Sequence, residues 1–268
     1  MLELIQITND PAFARRCDAI GGFRLFVDLE RLGKAQRQAG RNTFISAHEV
    51  GDVGRVKAVL RQSRLMVRVN PPHAGSSAEV EAALAAGADM LMLPMFSTAA
   101  QVQQFSRLVA GRAPIVPLLE TASALACLHE WIATSGLHEV YVGLNDLHLS
   151  LGLRFMFEPL ALGLVEQVAR AAQTQGLGFG FGGIARLDEG LLPGRDVLAE
   201  HLRLGSGSVI LSRTFYRDDG RDRLESEVAK LRQAEGELAL RTPTQIDADA
   251  QRIRAAIGEI AARMGRAA

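Results

Sequence analysis

Short apolar runs that are typical of buried strands recur eight times along this chain, and segments with helical periodicity separate most of them. The runs are residues 2–7, 24–28, 65–69, 89–93, 114–119, 139–144, 177–181 and 208–211. Within residues 80–87 and 102–109, apolar side chains stand three or four positions apart, as in a crossover helix. Eight strand and helix pairs in about 215 residues predict an α/β fold of the (β/α)8 TIM barrel type.

A doubly wound parallel sheet is the structural alternative, because it is built from the same alternating elements. Its dinucleotide-binding form carries a glycine-rich turn after the first strand, whereas residues 7–11 of this chain read Ile-Thr-Asn-Asp-Pro. Asp10 before Pro11 is typical of a helix start. We therefore expect the barrel.

The C-terminal segment is expected to be an addition to the barrel. Charged residues are dense from 218 to 223, and two helix-like stretches come after them. We predict a catalytic barrel domain over residues 1–216 and a C-terminal helical extension over residues 217–268. The last helix has a cap, a first-turn proline and a stripe close to heptad spacing, formed by Ile246, Ile253, Ile257, Ile260 and Met264. The stripe either lies on the chain's own barrel or forms an arm that packs on another subunit.

Composition narrows the class of partner. Lysine plus arginine equals aspartate plus glutamate at 30 each, and no basic stretch is interleaved with aromatic residues, which argues against a nucleic-acid partner. No apolar segment approaches the roughly 18 residues of a membrane span, and no leader precedes the first strand-like run, so we expect a cytoplasmic protein without a membrane partner. Cys17 and Cys127 lack metal-ligand spacing, in keeping with a reducing compartment. A small-molecule ligand is therefore expected.

Two carboxylates mark a candidate metal site. Glu120 follows the apolar run 114–119, Asp146 follows the run 139–144, and a helix-like segment over residues 122–134 lies between them. Such a unit makes the two strands parallel neighbours, which lie about 4.8 Å apart. Carboxylates at their equivalent C-terminal ends are able to reach one hard divalent cation.

Other polar residues also stand where predicted strands end, and in a barrel those ends converge on one mouth. They are Asp28 and Glu30 on the second strand, Arg68 and Asn70 on the third, Asn145 on the sixth, and Ser212 and Arg213 on the eighth. The fourth strand ends at Pro94 and the seventh at Gly182 and Gly183, where backbone is able to approach a ligand. Taken singly, each residue also fits a helix cap, an ion pair or a tight barrel corner. An arginine among four carboxylates on neighbouring strands favours a ligand site.

Four motifs, in this order, resemble those of one family of barrels. They are Val-Arg-Val-Asn-Pro at 67–71, Gly-Ala-Asp at 87–89 with Leu-Pro at 93–94, Glu-Thr-Ala at 120–122, and Gly-Leu-Asn-Asp-Leu at 143–147. The chain resembles the HpcH/HpaI aldolase and citrate lyase β-subunit family, of the pyruvate and phosphoenolpyruvate barrel superfamily, over roughly residues 25–215. Within that family it looks nearest to the metal-dependent aldolases that act on pyruvate or oxaloacetate-like donors.

The resemblance implies that Glu120 and Asp146 ligate Mg²⁺ or Mn²⁺, and that Arg68 binds the carboxylate and keto oxygen of a pyruvate-like group. It implies a metal-dependent carbon–carbon lyase or aldolase that acts on a 2-keto acid and an aldehyde through a pyruvate enolate, in a homo-oligomer that is a hexamer or trimer. Oxygen ligands suit such hard ions, and two protein ligands leave room for a bidentate keto acid. The catalytic candidates are Arg68, His48 and Asp28, and the substrate-binding candidates are Arg68, Glu30, Pro94, Asn145, Gly182 and Gly183.

The general base is where the chain departs from the family pattern. In the similar pyruvate aldolases a histidine comes directly after the glutamate of the second-strand motif, whereas Arg31 stands after Glu30 here. Residues 49–53, after His48, resemble the residues after the family histidine, so His48 is either a displaced base or a surface histidine before a helix. His148 and a metal-bound hydroxide are further candidates. The remaining histidines are expected to be solvent-facing or structural: His73, His129, His138 and His201.

A Schiff-base mechanism needs a lysine in the barrel mouth. The chain has three lysines, of which Lys57 and Lys230 fall in helix-like surface segments. Lys34, in the loop after the second predicted strand, stays open as a candidate, although the pattern favours metal over imine chemistry. The run 179–186 is rich in glycine and ends at Arg186. It predicts a site for a phosphorylated or acidic acceptor substrate, or else only a tight barrel corner.

Three other functions stay open. One is a CoA-thioester lyase of the malyl or citramalyl type. In the wider superfamily that the chain resembles, such lyases share the pattern formed here by Asp28, Glu30, Arg68, Glu120 and Asp146. Another is a phosphoenolpyruvate-using mutase or hydrolase. From a different class, a catalytically silent barrel that binds a keto acid is favoured by Arg31 at the position of the family histidine.

Overall fold

The computed structural model describes residues 1–34, 47–216 and 221–265. Its strands are β1 (Glu3–Ile7), β2 (Phe23–Asp28), β3 (Arg64–Arg68), β4 (Met90–Leu93), β5 (Ile115–Leu119), β6 (Glu139–Val142), β7 (Gly178–Ile184) and β8 (Ser208–Leu211). They close into a barrel in the order in which they occur along the chain. The predicted α/β barrel is therefore confirmed.

Helices separate the strands and also come after the last one. Those described are Pro11–Ile20, Val50–Lys57, Ser76–Ala85, Ala99–Val109, Ala122–Ala126, Leu128–Trp131, Leu144–Ser150, Glu158–Ala161, Leu164–Thr174, Gly194–Arg203, Leu224–Ala239 and Pro243–Met264, with a 3₁₀ turn at Arg213–Phe215. Asp10 caps the first helix by accepting from two of its N–H groups, as the Asp-Pro pair predicts. None of the described helices is both long and apolar enough to cross a membrane.

The chain forms two compact units, residues 5–141 and residues 1–4 with 142–268. The first contains the whole of β2 to β5, and the second contains β7 and β8. The division between a barrel domain and an extension at residues 216 and 217 stays a prediction.

In the unit 5–141, β2 is buried along its whole length, as a parallel strand covered on both faces should be. β2 pairs with β3 so that Asp28 lies opposite Arg68 at the carboxyl ends of the two strands. Near the amino end of β2, Arg24 binds Glu139 at 2.6 Å in an ion pair whose side chains are 3% and 4% exposed. Charged groups are therefore buried near both ends of this strand.

In the unit that contains residues 142–268, the helix Pro243–Met264 buries the middle of the predicted apolar stripe, whereas Met264 at its end is 42% exposed. Ile253, Ile257 and Ile260 are at most 6% exposed. The helix packs against Glu158–Ala161 and Gly194–Arg203 of the same chain. The helix therefore packs on its own chain, and a contact with another subunit stays a prediction.

The largest differences from the predicted bounds are at β7 and at the predicted helix 122–134. β7 runs to Ile184, so Gly182 and Gly183 lie inside the strand instead of in the loop after it, beyond an irregularity in the pairing with β8. The predicted helix 122–134 is two short helices that meet at Cys127. Trp131 Nε1 donates to the Ala124 carbonyl. In a continuous helix, this carbonyl would accept from the backbone N–H four residues later.

Candidate active site

Asp28, the last residue of β2, is the centre of a buried charge cluster in the unit 5–141. Its carboxylate oxygens accept hydrogen bonds from Arg68 Nε and Nη2, both at 2.8 Å. Lys34 Nζ donates to Oδ2 at 2.6 Å, and the Glu30 backbone N–H donates to Oδ1 at 3.2 Å. Burial alone would raise the pKa of Asp28, but Arg68 and Lys34 outweigh this effect and hold the pKa well below its usual range. Asp28 is therefore a fixed anion that orients two cations.

Arg68 extends from the end of β3 across Phe26, whose ring centre lies 5.6 Å from the guanidinium carbon. Its Nη2 also lies 3.4 Å from Glu30 Oε2. Burial alone would lower the pKa of Arg68, but the carboxylates of Asp28 and Glu30 raise it above its usual range, so the side chain stays charged. Among residues 1–34, 47–216 and 221–265, Nη1 has no hydrogen-bond partner. One edge of the guanidinium therefore remains for an oxygen ligand.

Lys34 completes the cluster, with a side chain that is 3% exposed. Besides its bond to Asp28, Nζ lies 3.7 Å from Glu30 Oε2. The sequence singles out Lys34 only as an open candidate for imine formation. The signal that predicts its actual place is the spacing of four residues from Glu30, which suits an ion pair when the chain turns.

Asn70 holds the turn that carries Lys34. Its Oδ1 accepts from the backbone N–H of Arg31 at 2.7 Å and of Leu32 at 2.9 Å. Its own backbone N–H and Nδ2 donate to the carboxylate of Glu79, in the helix Ser76–Ala85. The loop after β2 is therefore fastened to the end of β3.

His48 is buried, at 6% exposure, so it is not the surface histidine of one sequence interpretation. Its Nδ1 accepts from the Asp28 backbone N–H at 3.1 Å. Because Nδ1 is the acceptor, a neutral ring carries its proton on Nε2 and donates there. Burial lowers the pKa of His48, and the nearby carboxylates of Asp28 and Asp52 oppose this effect without cancelling it. His48 thus joins the predicted cluster as the acceptor of the Asp28 amide, and Nε2 is the nitrogen left to donate.

Glu120 follows β5 directly and is 3% exposed. Its Oε1 accepts from the backbone N–H of Met95 at 2.9 Å. Met95 has a φ of 52°, in the left-handed region that residues with side chains rarely adopt. It follows the predicted site residue Pro94, which links β4 to this turn. The charge of Glu120 adds to the effect of Asp28 and Glu30 on the Arg68 guanidinium, against the opposing effect of burial.

In the other unit, Asn145 and Asp146 lie in the first turn of the helix Leu144–Ser150, where the helix dipole favours negative charge. His148, in the same helix, is 6% exposed. Its Nδ1 lies 3.1 Å from the Leu144 carbonyl, which only accepts, so Nδ1 carries the proton and Nε2 of the neutral ring has a lone pair. His148, in contrast to His48, thus presents a nitrogen that is able to take up a proton.

Gly182 and Gly183 permit close packing within the same unit. Gly182 has a φ of +55°, and a Cβ there would lie 2.8 Å from Leu144 Cδ1. A Cβ on Gly183 would lie 3.4 Å from the Ile210 carbonyl of β8. Arg186, the predicted phosphate-side residue, pairs with its neighbour Glu189 at 3.4 Å. These contacts are the ones of a tight barrel corner, and a substrate contact by either glycine stays a prediction.

The structure therefore brings Asp28, Glu30, Arg68 and His48 together, and it adds Lys34 to them. In the described parts of the chain, no three His, Cys, Asp or Glu side chains form a group that could hold a metal ion. The pairing of Glu120 with Asp146 on a metal stays a prediction.

Comparison with known proteins identifies the family of the chain. A family model described as HpcH/HpaI aldolase/citrate lyase matches residues 8–179. None of the curated protein sequences compared with the chain matches it. A crystal structure of an HpcH/HpaI aldolase from Desulfitobacterium hafniense DCB-2 is similar at 18% identity and a TM-score of 0.61, over 90% of this chain and 95% of that chain.

Two further solved structures are similar. An HpcH/HpaI aldolase/citrate lyase family protein from Burkholderia cenocepacia J2315 is 18% identical with a TM-score of 0.61, over 88% of this chain and 95% of that chain. The citrate lyase β subunit from M. tuberculosis, complexed with oxaloacetate and magnesium, is 20% identical with a TM-score of 0.59, over 87% of this chain and 96% of that chain. At these identities the structures show a common fold.

Proposed function

Because the chain belongs to the HpcH/HpaI aldolase/citrate lyase family, we propose that it is a divalent-metal-dependent carbon–carbon lyase that acts through a pyruvate enolate. The reaction is aldol cleavage or condensation of a 2-keto acid with an aldehyde. The observation that best supports it is Arg68, whose guanidinium is fixed by Asp28 and keeps one nitrogen for a ligand.

Arg68 binds the carboxylate and the keto oxygen of the substrate in this proposal. A guanidinium whose orientation is already set loses little freedom when a ligand binds. Asp28 and Glu30 keep it charged in its buried place. Negative charge grows on the keto oxygen as the enolate forms, so a fixed cation stabilises the enolate more than the ketone. Arg68 therefore lowers the barrier to proton loss from the substrate methyl group.

Glu120 and Asp146 are the proposed ligands of Mg²⁺ or Mn²⁺. Carboxylate oxygens are the donors that these hard ions prefer, and the Met95 N–H fixes the orientation of Glu120. When bound, such an ion supplies electrophilic stabilisation at the keto oxygen. The similar citrate lyase β subunit from M. tuberculosis was solved with magnesium and oxaloacetate, which are a ligand pair of this class.

The proposed base is His148, with His48 as the alternative. Removal of a methyl proton needs a base with an available lone pair, and the hydrogen bond from His148 Nδ1 to the Leu144 carbonyl leaves such a lone pair on Nε2. The Asp28 amide occupies Nδ1 of His48, so His48 acts as a donor unless that bond breaks.

The aldehyde partner, the cytoplasmic location and a homo-oligomer that is a hexamer or trimer belong to the same proposal. Sedimentation velocity tests the assembly directly. We expect one species at three or six times the mass of the 28.9 kDa chain, and a single species at the monomer mass rejects the oligomer.

Exchange of pyruvate methyl protons in deuterated water tests the reaction, because it reports enolate formation without the aldehyde. We expect exchange with Mg²⁺ or Mn²⁺ and a loss of about 100-fold or more in Glu120→Gln and in Asp146→Asn. Glu81→Gln removes a carboxylate from an exposed ion pair with Arg112 and should keep the parental rate. Exchange that persists after chelation of all divalent ions contradicts the proposal.

The same preparation separates the alternatives. Release of pyruvate from a hydroxy keto acid supports the aldolase, whereas release of glyoxylate or acetyl-CoA from a CoA thioester supports the malyl or citramalyl type of lyase. Tight binding of a keto acid without exchange under any divalent ion supports the catalytically silent barrel.

A further inference from the structure

We propose that Lys34 is a positioning residue of this site, which neutralises Asp28 and Glu30 so that Arg68 stays available to an anionic keto acid. The proposal rests on the proposed function, since it specifies how the same site admits its substrate. Lys34 acts through the two carboxylates and does not itself touch the substrate.

The ammonium group of Lys34 is buried together with its partners. The side chain of Lys34 is 3% exposed, and those of Asp28 and Glu30 are 2% exposed. Charges at this depth persist only when opposite charges in contact with them offset the loss of water. Lys57 is different, because its side chain is 38% exposed in its ion pair with Asp89. Lys34 is therefore part of the charge balance of the site.

Counting charges shows what Lys34 contributes. Asp28 and Glu30 carry two negative charges, and Lys34 and Arg68 carry two positive charges, so the cluster is neutral. Without Lys34, Arg68 alone faces both carboxylates, whose oxygens lie 2.8 and 3.4 Å from its Nη2. The cluster then has a net negative charge, which opposes an anion at the same guanidinium and does not oppose a divalent cation. Loss of Lys34 should thus affect the two ligands in different ways.

The contact with Asp28 also separates this role from imine chemistry. A Schiff base forms from the neutral amine, whose lone pair attacks the carbonyl carbon. Lys34 Nζ is instead held against the Asp28 carboxylate at 2.6 Å. Borohydride reduction in the presence of pyruvate checks this: a pyruvate adduct on Lys34 overturns the positioning role, and its absence supports it.

Three substitutions isolate the charge. Lys34→Met removes it at nearly constant length, Lys34→Gln removes it but keeps an N–H donor, and Lys34→Arg keeps it. Lys57→Met is the matched control, because it removes a lysine from another ion pair of 2.6 Å outside the cluster. Calorimetric titrations measure the affinities for Mn²⁺ and for oxalate, the latter standing in for a pyruvate enolate, and thermal melting confirms that each variant is folded.

We expect Lys34→Met and Lys34→Gln to bind oxalate about tenfold more weakly, or worse, at an unchanged or higher affinity for Mn²⁺. Lys34→Arg should restore most of the oxalate affinity, and Lys57→Met should bind both probes like the parental protein. Parallel losses of oxalate and Mn²⁺ affinity in the neutral variants would indicate general loosening and overturn the proposal. Unchanged oxalate affinity would overturn it as well.

Failure of the proposed function gives a different result. If the parental protein binds neither Mn²⁺ nor oxalate, the metal-dependent lyase is rejected, and a crystal structure of Lys34→Gln then decides the positioning role. A shift of Arg68 toward Glu30 supports the role. An unchanged arrangement of Asp28, Glu30 and Arg68 overturns it.

Discussion

Acid should destabilise this protein through His201, in the helix Gly194–Arg203, which is 0% exposed. Its ring stacks on Phe181 with centroids 3.8 Å apart and 7° between the planes. Nδ1 lies 2.8 Å from Ser206 Oγ, whereas Nε2 is buried without a hydrogen-bond partner within the part of the chain that the structure describes. A proton on Nε2 would place a buried charge with no acceptor.

The size of the effect can be worked out from the shift in proton affinity. Burial lowers the pKa of His201 from 6.5 to about 3. Below pH 6.5 the unfolded chain binds a proton on His201, whereas the folded chain binds it only below about pH 3. The folded state therefore loses stability as the pH falls from 6.5 toward 3. Each pH unit inside the window removes about 1.4 kcal/mol, so the change from pH 8 to pH 5 removes about 2 kcal/mol.

His201→Phe tests this number, because it keeps an aromatic ring against Phe181 and removes the titrating nitrogen. Urea denaturation at pH 8 and at pH 5 gives the free energy of unfolding of both proteins. We expect the parental protein to lose about 2 kcal/mol more than the variant over this change. The carboxylates titrate alike in both proteins, so their contribution cancels when the two losses of stability are compared. The variant lacks the hydrogen bond to Ser206 at both pH values, so this loss cancels as well.

Replacement of an exposed histidine is the control. His129→Phe, in the helix Leu128–Trp131, should lose as much stability on acidification as the parental protein does. If His201→Phe also loses as much as the parental protein, the buried ring accepts a proton without penalty and the reasoning is refuted.

Two further predictions concern a buried ion pair and a close packing contact. Glu139→Gln removes the carboxylate partner of Arg24 from a nearly solvent-free ion pair, and we expect urea denaturation to show a loss of about 3–5 kcal/mol, so a loss below that of a surface pair contradicts the assignment. Gly182→Ala combines a φ of +55° with a Cβ 2.8 Å from Leu144, whereas Gly176→Ala has a φ of +66° in open space. We expect about 1 kcal/mol of destabilisation at Gly176 and about 2–3 kcal/mol at Gly182, and equal losses would show that the contact with Leu144 is unimportant.

Most strands could be predicted closely because their central residues are runs of apolar side chains. β2 is found at Phe23–Asp28, within one residue of the predicted run, and its six residues are all buried. The ends of such runs also locate Asp28, Arg68 and Glu120, since a charged residue that closes an apolar strand lies at the rim of the sheet. The sequence predicts β7 too short because glycines rarely favour strands, and the packing that requires them is visible only in three dimensions.

Hydrogen-bond partners are the part of the site that sequence could not supply. Nothing in the order of residues tells that the amide of Asp28 occupies Nδ1 of His48, and this contact decides which ring nitrogen holds the proton. The hydrogen bond from the Met95 amide to Glu120 joins the ends of two strands. Because its donor is a backbone N–H, no side-chain motif predicts it. The spacing of Lys34 from Glu30 suggests an ion pair, but its burial could not be predicted, because a lysine in a polar loop looks solvent-exposed until its partners are placed.

The hydrogen bonds of Asn70 restrict which side chain is able to occupy this position. The side chain accepts from two amides of the turn after β2 and at the same time donates to Glu79. Aspartate has the same shape but would set one carboxylate against another, and leucine would leave the two amides without an acceptor and Glu79 with only the backbone N–H of residue 70. A primary amide is thus the functional group that satisfies both neighbours, and redesign of the loop after β2 has to begin from it.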